Sequence, residues 1–154
     1  MKLKRLLTLS LLAVSNLVMA GDMSEAQFKS WMSATSIDGL KFHEIEKDGS
    51  KLQASFVNPA APHIGPRMVT MSPLADFSDY QKMLDNPKMR MGPTQGFNFK
   101  GLRVVVVDTQ SEIGMLAAVE AKAINKTITV SFPSKSSQAI VEAGLSRLAI
   151  VDKR

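Results

Sequence analysis

The stretch 102-LRVVVV-107 sets four β-branched valines in succession. Side chains alternate between the two faces of a strand, so an unbroken apolar run suits a strand covered on both sides. This reading predicts a buried strand at the centre of a sheet. Downstream, residues 112–121 carry Ile113, Met115, Ala117, Val119 and Ala121 at a period of two, and residues 127–132 carry Ile128, Val130 and Phe132 at the same period. These two segments are expected to pair as antiparallel neighbours. Pro133-Ser134 then opens a C-terminal helix in which Val141, Gly144, Leu145 and Leu148 repeat at i, i+3, i+4 and i+7, a stripe that faces a core.

Upstream, residues 67–71 read as a further strand. Ser72 as N-cap and Pro73 at the first helical position start a helix predicted over residues 73–85, with Leu74, Phe77, Tyr80 or Gln81, and Leu84 on one stripe. Asn86-Pro87 ends it, because the residue before proline avoids helical geometry. Residues 88–96, KMRMGPTQG, read as a loop. Residues 40–46 and 51–57 flank 47-KDGS-50, and Asp-Gly between two alternating runs signals a hairpin with Leu52, Ala54 and Phe56 facing inward. Three prolines make 58-NPAAPHIGP-66 an irregular connection. Residues 24–35, SEAQFKSWMSAT, read as a short amphipathic helix capped by Ser24, with Phe28, Trp31 and Met32 on its apolar stripe and Trp31 as its anchor.

The resulting order is α-β-β-β-α-β-β-β-α. Hairpin-length connections favour an antiparallel arrangement. The expected fold class is α+β: a single domain with an antiparallel sheet of about five to six strands and helices packed against it, sandwich-like. This element order resembles the PsbP-like family of small extracytoplasmic sandwiches, in which an antiparallel sheet lies between helices. The resemblance is one of element order; it carries no residue motif and transfers no activity.

The first twenty residues, MKLKRLLTLSLLAVSNLVMA, read as a cleavable secretory signal. Lys2, Lys4 and Arg5 form the positive end, residues 6–18 are apolar or small, and Val18-Met19-Ala20 supplies a cleavage pattern. The apolar run falls short of the ~20 residues a helix needs to cross a bilayer. Cleavage near Ala20 is therefore expected, with a periplasmic or secreted product and no integral membrane segment in the mature chain. Residues 1–20 are then a removed signal peptide and residues 21–154 a single globular α+β domain.

Losing Lys2, Lys4 and Arg5 leaves sixteen basic side chains against fourteen acidic ones, so the net charge falls from +5 to +2. No dense basic cluster remains, which argues against nucleic acid as a partner. The absence of cysteine excludes disulfides, thiol chemistry and a lipidated N-terminus, so stability rests on packing.

Motifs for catalysis are lacking. No serine sits in Gly-x-Ser-x-Gly, the nearest approach being Ser146 within a predicted helix, and Gly92 and Gly96 flank Pro93 without the Lys-Ser/Thr of a phosphate loop. Strand alternation sends His43 and Ile45 to one face and Glu44 and Glu46 to the other, short of the three protein ligands of a catalytic zinc. An enzyme whose site assembles only in three dimensions would draw on His43, His63, Glu44, Glu46 and Asp108. Asn125-Lys126-Thr127 matches a glycosylation acceptor but reads as a turn.

Methionine is the compositional oddity. Met68, Met71, Met83, Met89 and Met91 fall within twenty-four residues, with His63 just upstream. Thioethers are soft ligands for Cu(I) and also adaptable core fillers. Met68, Met71 and Met83 fit core positions, whereas Met89 and Met91 fall in a predicted polar loop. Met89, Met91, Met68, Met71 and His63 are thus the candidate copper ligands. The leading functional expectation is an exported, non-catalytic binding or accessory module of the cell envelope without a cofactor, its partner an envelope protein or small ligand. Its binding surface is expected on the segments 58–66 and 86–96. Copper or oxidant handling is the alternative.

Overall fold

The computed structural model describes residues 21–149 apart from 62 and 64; the predicted signal segment, residues 1–20, lies outside the described residues. The elements follow the order α1 (Glu25–Ser33), β1 (Ser36–Ile37), β2 (Leu40–Asp48), β3 (Lys51–Val57), β4 (Arg67–Pro73), α2 (Phe77–Asp85), β5 (Thr94–Phe99), β6 (Leu102–Asp108), β7 (Met115–Ala121), β8 (Lys126–Phe132) and α3 (Gln138–Arg147). All strands join one eight-stranded antiparallel sheet, ordered β1-β2-β3-β4-β8-β7-β6-β5.

The expected five- to six-stranded sandwich is thereby corrected. The protein is mostly sheet, a single curled half-barrel carrying three short helices. Two strands escape the sequence pattern. β1 is only two residues long, and the first half of β5 falls within the predicted loop, its apolar alternation diluted by Gln95, Gly96 and Asn98. The sheet curls around one continuous apolar cluster to which every strand contributes, with Phe28 and Met32 of α1 and Val141 and Leu145 of α3 packed into it.

The four valines obey the expectation of burial on both faces. Val104 and Val106 belong to the main cluster, while Val105 and Val107 form a second cluster with Ala118 and Phe77, roofed by Tyr80, Met83 and Leu84 of α2. The expectation of a central position is corrected: β6 lies one strand in from the edge, and α2 rather than a deep position in the sheet covers its outer face. The sheet centre is the β4–β8 pair.

Local signals explain most boundaries. Ser24 Oγ accepts from Gln27 N at 3.2 Å while Ser24 N donates to Gln27 Oε1 at 2.7 Å, a reciprocal cap that starts α1. Trp31 Nε1 donates to Leu148 O at 3.0 Å and so ties α1 to the end of α3. Leu52, Ala54 and Phe56 all face the core. Ser72 departs from its predicted cap role. β4 runs on through Pro73, Ser72 pairs with Thr127, and a short 3-10 turn at Leu74–Asp76 precedes α2. Thr127 Oγ1 stabilises this extension by donating to Pro73 O at 3.0 Å and Leu74 O at 3.1 Å.

Gly144 lets α3 approach the sheet. A Cβ there would lie 2.6 Å from Phe132 Cε1 and 2.8 Å from Cζ, and Phe132 is only 2% exposed, so its ring has no room to withdraw. Overpacking costs about 1–3 kcal/mol, against the ~1 kcal/mol that alanine gains over glycine in a helix. Gly144→Ala is expected to lower unfolding stability in urea although alanine is the better helix former. Adding Phe132→Leu should recover part of the loss; additive losses in the double variant would refute the contact.

Candidate functional site

The register places a graded set of side chains on the face of the sheet opposite α1 and α3. Gln53 pairs with Thr70, Thr70 with Thr129, Thr129 with Ala118, and Ala118 with Val105. The parallel row runs from Ser55 to Met68 on neighbouring strands, and from Ser131 to Leu116 to Val107. The first row is polar over β3, β4 and β8 and apolar over β7 and β6, and the second follows the same course except for Met68 on β4. α2 lays its apolar stripe on the apolar half only. The polar half stays open as a cleft of about 1100 Å3.

Gln53, Thr70, Thr129 and Ser131 form the floor of this cleft, and Tyr80 and Met83 of α2 form one wall. Met91 and Ile113 stand at one end, both largely exposed. Within the floor, Met68 N donates to Ser131 Oγ at 2.8 Å, Thr70 Oγ1 donates to Gln53 Oε1 at 3.4 Å, and Thr129 Oγ1 donates to Tyr80 Oη at 3.4 Å. Charges around the cleft are mixed, with Lys51 and Arg67 against Asp76, Asp79 and Glu112.

Asp108 organises the loops at that end. It sits buried at the end of β6, where Ser134 Oγ lies 2.8 and 3.0 Å from its two oxygens, Lys135 N donates at 2.8 Å and Gln110 N at 3.0 Å. These donors, the Ser134 hydroxyl foremost, hold its pKa below the usual carboxylate value. The carboxylate thus clasps the β6–β7 loop to the segment after β8, and residues 111–114 and Ser134 line the cleft. The Met91 side of the mouth is held by Arg90, whose Nε donates to Met83 O at 2.9 Å and whose Nη2 donates to Leu84 O at 2.8 Å, closing the free carbonyls of α2.

The candidate methionines separate. Met68 and Met91 line the cleft, joined there by Met83, while Met71 points to the opposite face and is buried in the main core. Met89 is exposed away from the cleft lining, and His63 is exposed in the proline-rich connection. Of the two segments expected to bind, 58–66 contributes Gly65 and Pro66 and 86–96 contributes Met91.

The placement of His43 is corrected by a β-bulge. Phe42 opposes Phe56 and Glu44 opposes Ser55, so His43 is the inserted residue, and Phe42 and Ile45 both pack on the core. The bulge turns His43 toward Glu44, with Nε2 3.7 Å from Oε1, in a recess of about 220 Å3 that also includes Glu46, Gln53 and Ser55. Gln53, Pro66 and Met68 border both this recess and the main cleft. Among the described residues, no group of three His, Cys, Asp or Glu side chains is placed to hold a metal.

Sequence reasoning passed over the floor itself. Thr70 and Ser72, and Thr127, Thr129 and Ser131, alternate with the apolar residues of β4 and β8, a pattern that equally describes a solvated face.

The Asp108 clasp has a pH signature. A carboxylate with a lowered folded-state pKa contributes stability that is fully present above its unfolded value of ~3.9 and is lost as pH falls through the folded value. Asp108→Asn is expected to lower the melting temperature at pH 7, with the gap from the unaltered protein narrowing below about pH 4. A gap that stays constant from neutral to acid pH would show that the charge contributes nothing.

The chain matches no family model, no curated protein and no solved structure, so the functional reading rests on the cleft.

Proposed function

We propose that the protein is exported and serves as a non-catalytic binding module of the cell envelope, with the cleft beside α2 as its binding surface. One observation carries this reading: α2 covers only the apolar half of the sheet face and leaves a hydroxyl-lined trough, walled by Tyr80 and Met83, over the sheet centre. Sites for small ligands are concave, with apolar walls and a few placed polar groups, and this trough has that character. The charged start, apolar run and Val18-Met19-Ala20 of the first twenty residues support export.

The cleft chemistry favours binding over catalysis. Ser134, a cleft-lining hydroxyl, is bonded to Asp108, but that carboxylate already accepts two backbone N–H groups and its pKa is lowered, which makes it a poor general base. The remaining floor hydroxyls bond to a backbone amide, an amide oxygen and a phenol.

A photo-crosslinking amino acid at Thr70, compared with one at the exposed Lys29 on α1, tests this reading in cells. Processed protein in the envelope fraction and discrete adducts from position 70 alone are expected. Unprocessed protein in the cytoplasm would refute export, and equal labelling at both positions would refute the cleft.

A second reading, Cu(I) capture by thioethers, is favoured by the convergence of Met68, Met83 and Met91 on one cleft. Anaerobic titration against a competing chelator should then show stoichiometric binding that is lost on replacing Met68 and Met91 by leucine and retained in Met89→Leu. Equal binding by all three proteins would exclude it.

A further inference from the structure

We infer that the cleft takes a short, neutral oligosaccharide; this rests on the reading of the cleft as the binding surface and goes further by naming the ligand chemistry. The floor presents donors. Ser131 Oγ accepts from Met68 N, Gln53 Oε1 accepts from Thr70, and Tyr80 Oη accepts from Thr129, which leaves the Ser131 and Tyr80 hydroxyl protons and the Gln53 amide protons to donate. Among the described residues none of these protons has a protein acceptor. In the adjoining recess, Ser55 Oγ is enclosed and has no hydrogen-bond partner. A ligand rich in oxygen acceptors satisfies this row of donors.

Charge narrows the class. Two cations, Lys51 and Arg67, border the cleft with three carboxylates, Asp76, Asp79 and Glu112, so neither a polyanion nor a polycation meets a complementary field. Topology narrows it again. An extended peptide commonly binds by adding a strand to a sheet edge, but β4, β8 and β7 lie in the sheet interior, where neighbouring strands already use their backbone groups. Recognition on this floor therefore runs through side chains. The floor extends from Ser72 to Met68 along β4, about 13 Å at the usual strand rise. An oligosaccharide fits such a trough: its hydroxyl edges both accept and donate, and its C–H faces pack on Tyr80, Met83 and Leu116 along the cleft.

Titrating the 15N-labelled protein with chitotetraose, maltotetraose and cellotetraose, and with a neutral hexapeptide of glycine and serine, tests the inference by amide chemical shifts. At least one tetrasaccharide is expected to give saturable shifts centred on Thr70, Tyr80, Thr129 and Ser131 at millimolar concentration. Tyr80→Phe and Thr129→Val, which each remove one hydroxyl and keep the bulk, should each weaken that binding about threefold to tenfold without lowering the melting temperature. No saturable shift from any tetrasaccharide, or saturation by the hexapeptide alone, overturns the inference. Failure here together with discrete crosslinks from position 70 overturns the ligand class and leaves the cleft reading standing; failure of both removes the two together.

Discussion

The pairing of β4 with β8 is the contact on which the rest of the structure depends. Strands β1 to β4 form one local meander and β5 to β8 another, and each is built from hairpins or short connections. Only the antiparallel ladder from Val69 opposite Val130 to Pro73 opposite Lys126 joins them into one sheet. Its closure spans the α2 segment and three strands, so it carries the largest chain-entropy cost of any pairing in the sheet. Side chains secure both ends: Met68 N donates to Ser131 Oγ at one, and Thr127 Oγ1 donates to the carbonyls of Pro73 and Leu74 at the other. The floor of the cleft lies on this joint, with Thr70 and Thr129 directly opposite each other. The cleft therefore exists only once the two meanders have docked.

The position of α2 decides how much of that face stays open. Phe77, Tyr80, Met83 and Leu84 pack over Val105, Val107 and Ala118, and the edge strand β5 lets the helix come close because Gly96 has no side chain; a Cβ there would lie 2.6 Å from Leu84 Cδ2. Arg90 then closes the helix C-terminus. Seated near the β5 edge in this way, the helix leaves the centre of the sheet uncovered. Its nine residues give about 13 Å of length, too little to roof both halves of the face.

What was legible in the sequence was local. Ser24 reads as a cap because its partner Gln27 is three residues away, and Leu52, Ala54 and Phe56 read as inward because a two-residue turn fixes their register. The valines of β6 read as buried because burial on both faces needs no knowledge of what does the burying. The misreadings involve distant partners. Ser72 and Pro73 carry a helix-start signal that loses to pairing with Thr127 and Lys126 more than fifty residues away. His43 breaks alternation through a bulge that only the β3 register reveals. β5 has too few apolar residues to announce itself, and exists because β6 offers it an open edge. The candidate site was legible in the same proportion: of the candidate ligands Met68 and Met91 reach the cleft, but Met71 lies three residues from Met68 on the same strand, an odd offset, and so faces the core. Thr70, Thr129 and Ser131 carried no signal beyond alternation, since a hydroxyl on a strand means solvent or ligand according to what stands across from it.

Burial bears on these two meanings. Thr129 is 9% exposed and Ser131 6% exposed, so both have lost most of their contact with bulk water. A buried hydroxyl without a good partner costs free energy, and residues that gained nothing from polarity at these positions would serve the fold better as valine or alanine, as Ala118 and Val105 do further along the same row. Ser131, Gln53 and Tyr80 accept from within the protein and turn their donors to the trough, while Thr70 and Thr129 give their protons to Gln53 and Tyr80. The row thus changes from polar to apolar at the line where α2 begins to cover it, so the open half is chemically distinct from the covered half rather than a continuation of it. Coverage by α2 is enough to set that boundary, since a sheet face open to water is polar and a covered one apolar; the proposed ligand would meet the open half through the donors left there.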